Sequence, residues 1–168
     1  MADVHTPEQR SYNMSRIRGK NTKPEEMVRK YLFSQGFRYR KNDARFPGKP
    51  DIVLPKYKTV IFVNGCFWHA HEGCKFFVWP KNHKEFWENK IQGNVLRDIK
   101  NQKVLEDLGW HIIIVWECEL KPIIREHTLA KLAEAIRKNW RLNDSRNERF
   151  YRTMKPIYED RGSISHFD

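Results

Sequence analysis

The amino-acid sequence predicts an α/β domain with a mixed central sheet flanked by helices, and three observations carry that prediction. Two segments open with a capping box and continue with apolar residues at helical spacing. Short apolar runs bounded by proline, glycine or asparagine read as strands. The order is helix, three strands, helix, strand, helix, which brings helices onto the faces of one sheet.

In Thr22-Lys23-Pro24-Glu25, Thr takes the N-cap, Glu follows three residues on, and Pro sits in the first turn, where its missing N–H costs nothing. Met27, Val28, Tyr31 and Leu32 follow at helical spacing, and Gly36 supplies the stop. Residues 37–41 read as a short first strand and Phe46-Pro47-Gly48-Lys49-Pro50 as a turn. Asp51-Ile52-Val53-Leu54 is the next strand. Pro55-Lys56-Tyr57-Lys58 turns the chain, and 59–64 returns antiparallel, so that Asp51 and Asn64 point toward the same end.

Asn82-His83-Lys84-Glu85 has the form of a second capping box and opens a helix with Phe86, Trp87 and Ile91. Gly93-Asn94 interrupts it, and Leu96, Ile99, Val104, Leu105 and Leu108 continue to Gly109, giving two helices or one kinked helix. The nearly all-apolar run 110–116 fits a central strand buried on both faces. Thr128 starts a last helix with Leu129, Leu132, Ile136 and Trp140 on one face.

At 168 residues the chain is long enough for one domain with a real core and short for two. The expected division is a basic arm over 1–21, a domain over 22–140 containing a loop at 64–80, and a polar extension over 141–168 that shows no core of its own. The arm reads equally as a disordered tail or as a segment that orders on a phosphate backbone. With 32 Lys plus Arg against 21 Asp plus Glu, the net charge of +11 favours a polyanionic partner, nucleic acid before anionic membrane. No apolar run is long enough to span a bilayer, and the N-terminus lacks a signal-peptide core, so the expected location is the cytoplasm, where thiols stay reduced.

Chemistry concentrates in Asn64-Gly65-Cys66-Phe67-Trp68-His69-Ala70-His71-Glu72-Gly73-Cys74. The third cysteine, Cys118, ends the run Val115-Trp116-Glu117-Cys118. If the strands before these two segments are neighbours, Cys66, His71, Cys74 and Cys118 form a Cys3His set, a closed tetrahedral zinc site of structural type. Ordinary buried thiols are the plainer alternative; disulfides fit an odd count poorly. His69 is left over, either as a proton-transfer group or as a solvated loop histidine. Asp51, at the mouth of a buried strand, is placed to bind a cation or to cap a turn, and Glu25 already has a role as the capping-box acid.

These features resemble a known family. Pro47-Gly48-Lys49-Pro50-Asp51, Val60-Ile61-Phe62, Gly65-Cys66-Phe67-Trp68-His69, Glu85-Phe86-Trp87, Asn94-Val95, Leu108-Gly109-Trp110 and Val115-Trp116-Glu117-Cys118 look like the very-short-patch repair (Vsr) DNA mismatch endonucleases, over about residues 11–140. The resemblance implies a restriction-endonuclease-like core, nicking of DNA at T:G mismatches, catalytic Mg2+ and structural Zn2+. By position, Asp51 resembles the family's magnesium-binding carboxylate, His69 its histidine acting on water, and Glu25 an acid that helps orient the centre. Cys66, His71, Cys74 and Cys118 match the zinc ligands, with Glu72-Gly73 making the spacing one residue longer than in the best-known member. Met14, Phe67, Trp68 and Trp87 fall where the family wedges side chains into the duplex.

Val63 and Asn64 stand where that member has Thr and His. A magnesium contact through the carbonyl of Val63 survives the change, whereas the amide of Asn64 cannot perform an imidazole's proton transfer. Independently of family, phosphodiester hydrolysis needs a metal to neutralise charge and activate water, plus a group to move a proton. The expected partner is double-stranded DNA with a T:G mismatch, with repair proteins as candidate further partners. A monomer suffices, because a nick needs one active site, and the protein is expected at the nucleoid when bound. Two other readings remain: a non-catalytic zinc-containing DNA-binding module, and a nuclease of the same fold with a different target.

Overall fold

The architecture comes from a computed structural model that describes residues 19–159, the isolated positions Thr6, Glu8, Gln9, Tyr12, Ser15 and Arg16, and side chains as far as Leu142. Met14 and most of the basic arm lie outside the described residues. The elements are α1 (Lys23–Ser34), β1 (Arg40–Lys41), β2 (Ile52–Leu54), a 3-10 turn (Pro55–Tyr57), β3 (Thr59–Asn64), α2 (Lys84–Asp107), β4 (His111–Trp116), a second 3-10 turn (Glu117–Leu120) and α3 (Arg125–Glu159). They form a mixed α/β fold around one four-stranded sheet.

The strand order is β1-β2-β3-β4. The first two pairings are antiparallel, and β3 runs parallel to β4 with Asn64 opposite Trp116. Because β3 and β4 run the same way, the segments that follow them leave from one end of the sheet. That topology brings Cys118 toward the loop after Asn64.

The sheet is covered on both faces. Ile52, Leu54, Ile61 and Val115 pack with Val28, Leu32, Leu129, Leu132 and Ile136 of α1 and α3, while Val53 and Val60 turn the other way and pack on Leu105 of α2. Full burial contributes roughly 1.5–3 kcal/mol for each such side chain. The strand after Gly109 was expected to be central. Among the described residues β4 lies at the sheet edge instead, and it reads as apolar throughout because helices cover both its faces.

Three expectations about the elements change. The first strand begins only at Arg40, because Phe37 N donates to Leu32 O at 3.0 Å after left-handed Gly36, which makes Phe37 part of the α1 stop. The second capping box does not form. Helix α2 starts at Lys84 after a left-handed His83 that makes no side-chain cap, so Asn82 stands one position too early. Helix α2 is also one helix through Gly93 and Asn94, since the Asn94 amide donates to Trp68 O at 2.9 Å rather than competing with its own backbone.

The apolar face assigned to α2 also differs. Leu96, Ile99, Val104 and Leu108 are exposed, and the inward stripe is Ile91, Asn94, Asp98, Asn101 and Leu105. Helix α3 starts at Arg125, ahead of Thr128, and continues past Trp140 to Glu159. No helix among the described residues is long and apolar enough to cross a membrane.

Candidate active site and metal centre

A cavity of about 830 Å³ opens where α1, the 42–51 segment, the end of β3 and the flank of α2 converge, lined by Glu25, Asp51, Val63, Asn64, His69 and Asp98 among others. The hairpin register sets Asp51 against β3: its Oδ2 accepts from Val63 N–H at 2.8 Å. Burial pushes the Asp51 carboxyl up to about 6, with nearby Glu25 adding to the rise and the Val63 N–H, Arg29 and His69 opposing it. A carboxylate this reluctant to ionise alone is suited to meeting a cation.

Gly48 brings the preceding turn close to α2. Its φ is +71°, and a Cβ there would lie 3.1 Å from Asn101 Nδ2, so a side chain would be strained in its backbone and would press on Asn101.

His69 comes from the loop after β3. Its Nδ1 lies 2.5 Å from Asp98 Oδ2 on α2, so the imidazole is gripped on one side and Nε2 is the nitrogen left for chemistry. The sequence-predicted Asp51, Val63, Asn64 and His69 therefore share one cavity, with Asn64 buried at its floor. Glu25 reaches the same cavity with both carboxylate oxygens engaged. Oε1 accepts from Thr22 N–H and Oγ1 at 3.3 and 2.9 Å, while Oε2 accepts from Asn21 N–H and Arg29 Nη2, both at 2.9 Å. The capping box is complete, and this acid is a cap that also forms cavity wall.

At the same end of the sheet, ligand atoms of Cys66, His71, Cys74 and Cys118 all lie within 4.8 Å of one another. A tetrahedron with metal–sulfur bonds of about 2.3 Å has edges of about 3.8 Å, so the donor set fits a four-coordinate metal. Burial raises the Cys66 thiol, and burial with the neighbouring thiols pushes Cys118 up to about 12; Cys74 is lowered, mainly by the Phe76 backbone N–H. The His71 ring stacks on Trp116 at 3.9 Å and 2°, which fixes its plane.

An aromatic cluster borders the cavity. Phe67 meets Trp68 and Trp87 edge to face at 5.2 and 5.4 Å, and Trp68 also lines the cavity. All three are half-buried.

The family model described as DNA mismatch endonuclease Vsr matches residues 2–75. The type II nicking enzyme V.NmeAIP of Neisseria meningitidis is 57% identical over 121 residues, covering 72% of this chain and 86% of that protein. The DNA mismatch endonuclease Vsr of Escherichia coli is 46% identical over 121 residues, covering 72% of this chain and 77% of that one. The type II nicking enzyme V.XorIIP of Xanthomonas oryzae pv. oryzae is 44% identical over 123 residues, covering 73% and 90%.

The chain belongs to the Vsr DNA mismatch endonuclease family. As a Vsr-family protein it is a DNA endonuclease, a hydrolase of phosphodiester bonds.

Two side chains of this Vsr-family site escape a reading of the sequence by motif. Asp98 sits in the stripe Ile91, Asn94, Asp98, Asn101, Leu105, where polar residues occupy positions spaced for burial. That pattern was the available signal, masked by the more apolar stripe on the opposite side. Arg29 is 4% exposed one turn after Glu25 on the buried face of α1; helical spacing places it there, and no motif marks it.

Proposed function

We propose that this chain nicks duplex DNA at T:G mismatches, using magnesium at Asp51 and zinc in the Cys3His cluster. The observation that carries this reading is one cavity holding the half-buried Asp51 carboxylate and a carboxylate-gripped imidazole beside half-buried aromatics. Asp51 presents a hard oxygen donor, with the Val63 carbonyl as a second, which suits magnesium. Magnesium there would neutralise developing charge and lower the pKa of the attacking water.

The remaining work belongs to the chain's own groups. With Nδ1 held by Asp98, His69 Nε2 is the atom that takes the water proton. Asn64 can donate a hydrogen bond but moves no proton, so proton transfer falls to His69 alone. Glu25, its oxygens already engaged, shapes the wall and adds negative charge beside Asp51. Asp98→Asn is expected to lower the nicking rate roughly 10²-fold, because an amide no longer stabilises the imidazolium that forms. Its single-turnover rate at saturating magnesium, set beside its duplex affinity, checks this; an unchanged rate would remove Asp98 from the mechanism.

Phe67, Trp68 and Trp87, with Met14 from the arm, are the proposed wedge. Inserting side chains costs least where a base step is poorly paired, so a mismatch is selected by its deformability while lysines and arginines hold the phosphates. A monomer is the expected state, because a nick needs only one active site. The reading is tested by nicking rates on T:G, A:C and fully paired duplexes of one sequence. T:G is expected to be fastest by at least about 10-fold, because unstacking and unpairing cost a few kcal/mol and least at a mispaired base. Equal rates would keep the endonuclease and remove the mismatch role.

A further inference from the structure

Among the described residues Arg29 is the buried cation, and its partners are not those of a core-filling residue. Its Nη2 donates to Glu25 Oε2 at 2.9 Å, to Asn42 Oδ1 at 3.3 Å and to the main-chain oxygen of Asp51 at 3.0 Å. Its Nη1 donates to Asn21 Oδ1 at 2.8 Å. Around it, α1 is buried through Val28 and Leu32, which ask for no charge. A buried guanidinium carries a desolvation cost of several kcal/mol before its partners offset it, and a methionine of similar reach would fill the space without one.

The partners lie on one route. Asn21 is the root of the arm, next to Gly19 and Lys20 on the cavity wall. Glu25 caps α1. Asn42 begins the segment leading to β2, and its N–H also donates to the Asp51 carbonyl, at 3.3 Å. Asp51 is thus held three ways: by Asn42 and Arg29 at its carbonyl, and by Val63 at its carboxylate. Arg29 also reaches back to the arm, at Asn21 Oδ1 at 2.8 Å, where the Asn42 amide joins it at 3.3 Å. Its planar fork allows four acceptors to be met at once, which a lysine ammonium cannot reproduce.

We propose that Arg29 is a positioning residue for cleavage: its guanidinium ties Asn21 and Glu25 to the main-chain carbonyl of Asp51 and so fixes where the Asp51 carboxylate stands in the cavity. The inference rests on the reading of Asp51 as the magnesium acid. Misplacement of a catalytic group by about 1 Å costs on the order of 10²-fold, so loss of this tie acts on metal use and rate rather than on DNA affinity.

The test uses the full chain as wild type, Arg29→Met and Arg29→Lys. Single-turnover nicking of a T:G duplex is titrated with magnesium, duplex affinity is measured without magnesium, and the rise in Tm that magnesium alone produces is recorded. In Arg29→Met the half-saturating magnesium concentration is expected to rise roughly 10-fold and the magnesium-induced Tm rise to shrink, while duplex affinity stays within about two-fold. Arg29→Lys, keeping the charge without the fork, is expected to fall between. A folded Arg29→Met with wild-type magnesium dependence, even at lower Tm, would show a buried structural cation and overturn the inference alone. Should Arg29→Met not fold, wild-type magnesium dependence in Arg29→Lys overturns it equally. A wild-type protein that neither nicks nor gains stability with magnesium would overturn the reading of Asp51, and this inference with it.

Discussion

Asp51→Asn is expected to remove nicking and to stabilise the metal-free protein. The loss follows from the chemistry: a metal held at the reacting phosphate contributes several kcal/mol of charge stabilisation, so losing its carboxylate costs at least roughly 10³-fold in rate. The gain follows from burial, which holds the Asp51 carboxyl up at about 6. A carboxyl raised in the folded state favours folding when protonated. That contribution is complete below the unfolded carboxyl's range near pH 4 and is lost as pH rises through about 6.

At pH 7 the ionised, partly desolvated carboxylate therefore works against the fold, by on the order of 2 kcal/mol once its contact with the cavity is allowed for. Asparagine keeps the shape without the charge, so Tm of the metal-free variant at pH 7 is expected to exceed wild type by roughly 5 °C. The gap should narrow at pH 4.5, and also on adding magnesium, which stabilises wild type alone. Thermal scans at two pH values with and without magnesium measure this. Equal Tm values throughout would mean that Asp51 is not strained and that its role as a cation acid is wrong.

The second large effect is expected on removing the metal proposed for the Cys3His cluster. The loop after Asn64 has few means of keeping its shape: Cys66 is buried, Phe76, Val78 and Trp79 are exposed, and the turns close on carbonyls of Cys66, His71 and Cys74 themselves. The ligands are thus the turn framework as well. With the metal gone, three crowded sulfurs must protonate or repel, and His69 and the aromatic cluster lose their platform. One zinc per chain is expected, and chelation or Cys118→Ala should lower nicking more than about 10²-fold and reduce Tm. Because the thiols must be deprotonated to bind, zinc should leave more readily as pH falls. Elemental analysis with thermal scans tests the account; full activity and unchanged Tm in zinc-free protein would contradict it.

Much of this was legible in the chain because local chemistry decided it. Thr22 and Glu25 cap α1 as their spacing requires, the 51–64 hairpin forms, and the parallel β3–β4 pairing brings together Cys66, His71, Cys74 and Cys118, separated by up to 52 positions (118 − 66). What failed depended on tertiary choice. Helix α2 offers two stripes, an apolar one and one that mixes Ile91 and Leu105 with polar residues, and only packing against the sheet selects the one carrying Asp98. Phe37 was absorbed into a helix stop rather than a strand. The edge position of β4 is invisible to an apolar count, which reports covered faces and not neighbours in the plane.

The central claim is that this cavity cuts one strand of a T:G mismatch with magnesium. Single-turnover cleavage of a T:G duplex, with each strand labelled in turn and its paired counterpart run alongside, tests it most directly. The account predicts one magnesium-dependent break, confined to the T-bearing strand and absent from the paired duplex and from Asp51→Asn. Breaks in both strands, or equal cutting of paired DNA, would contradict it.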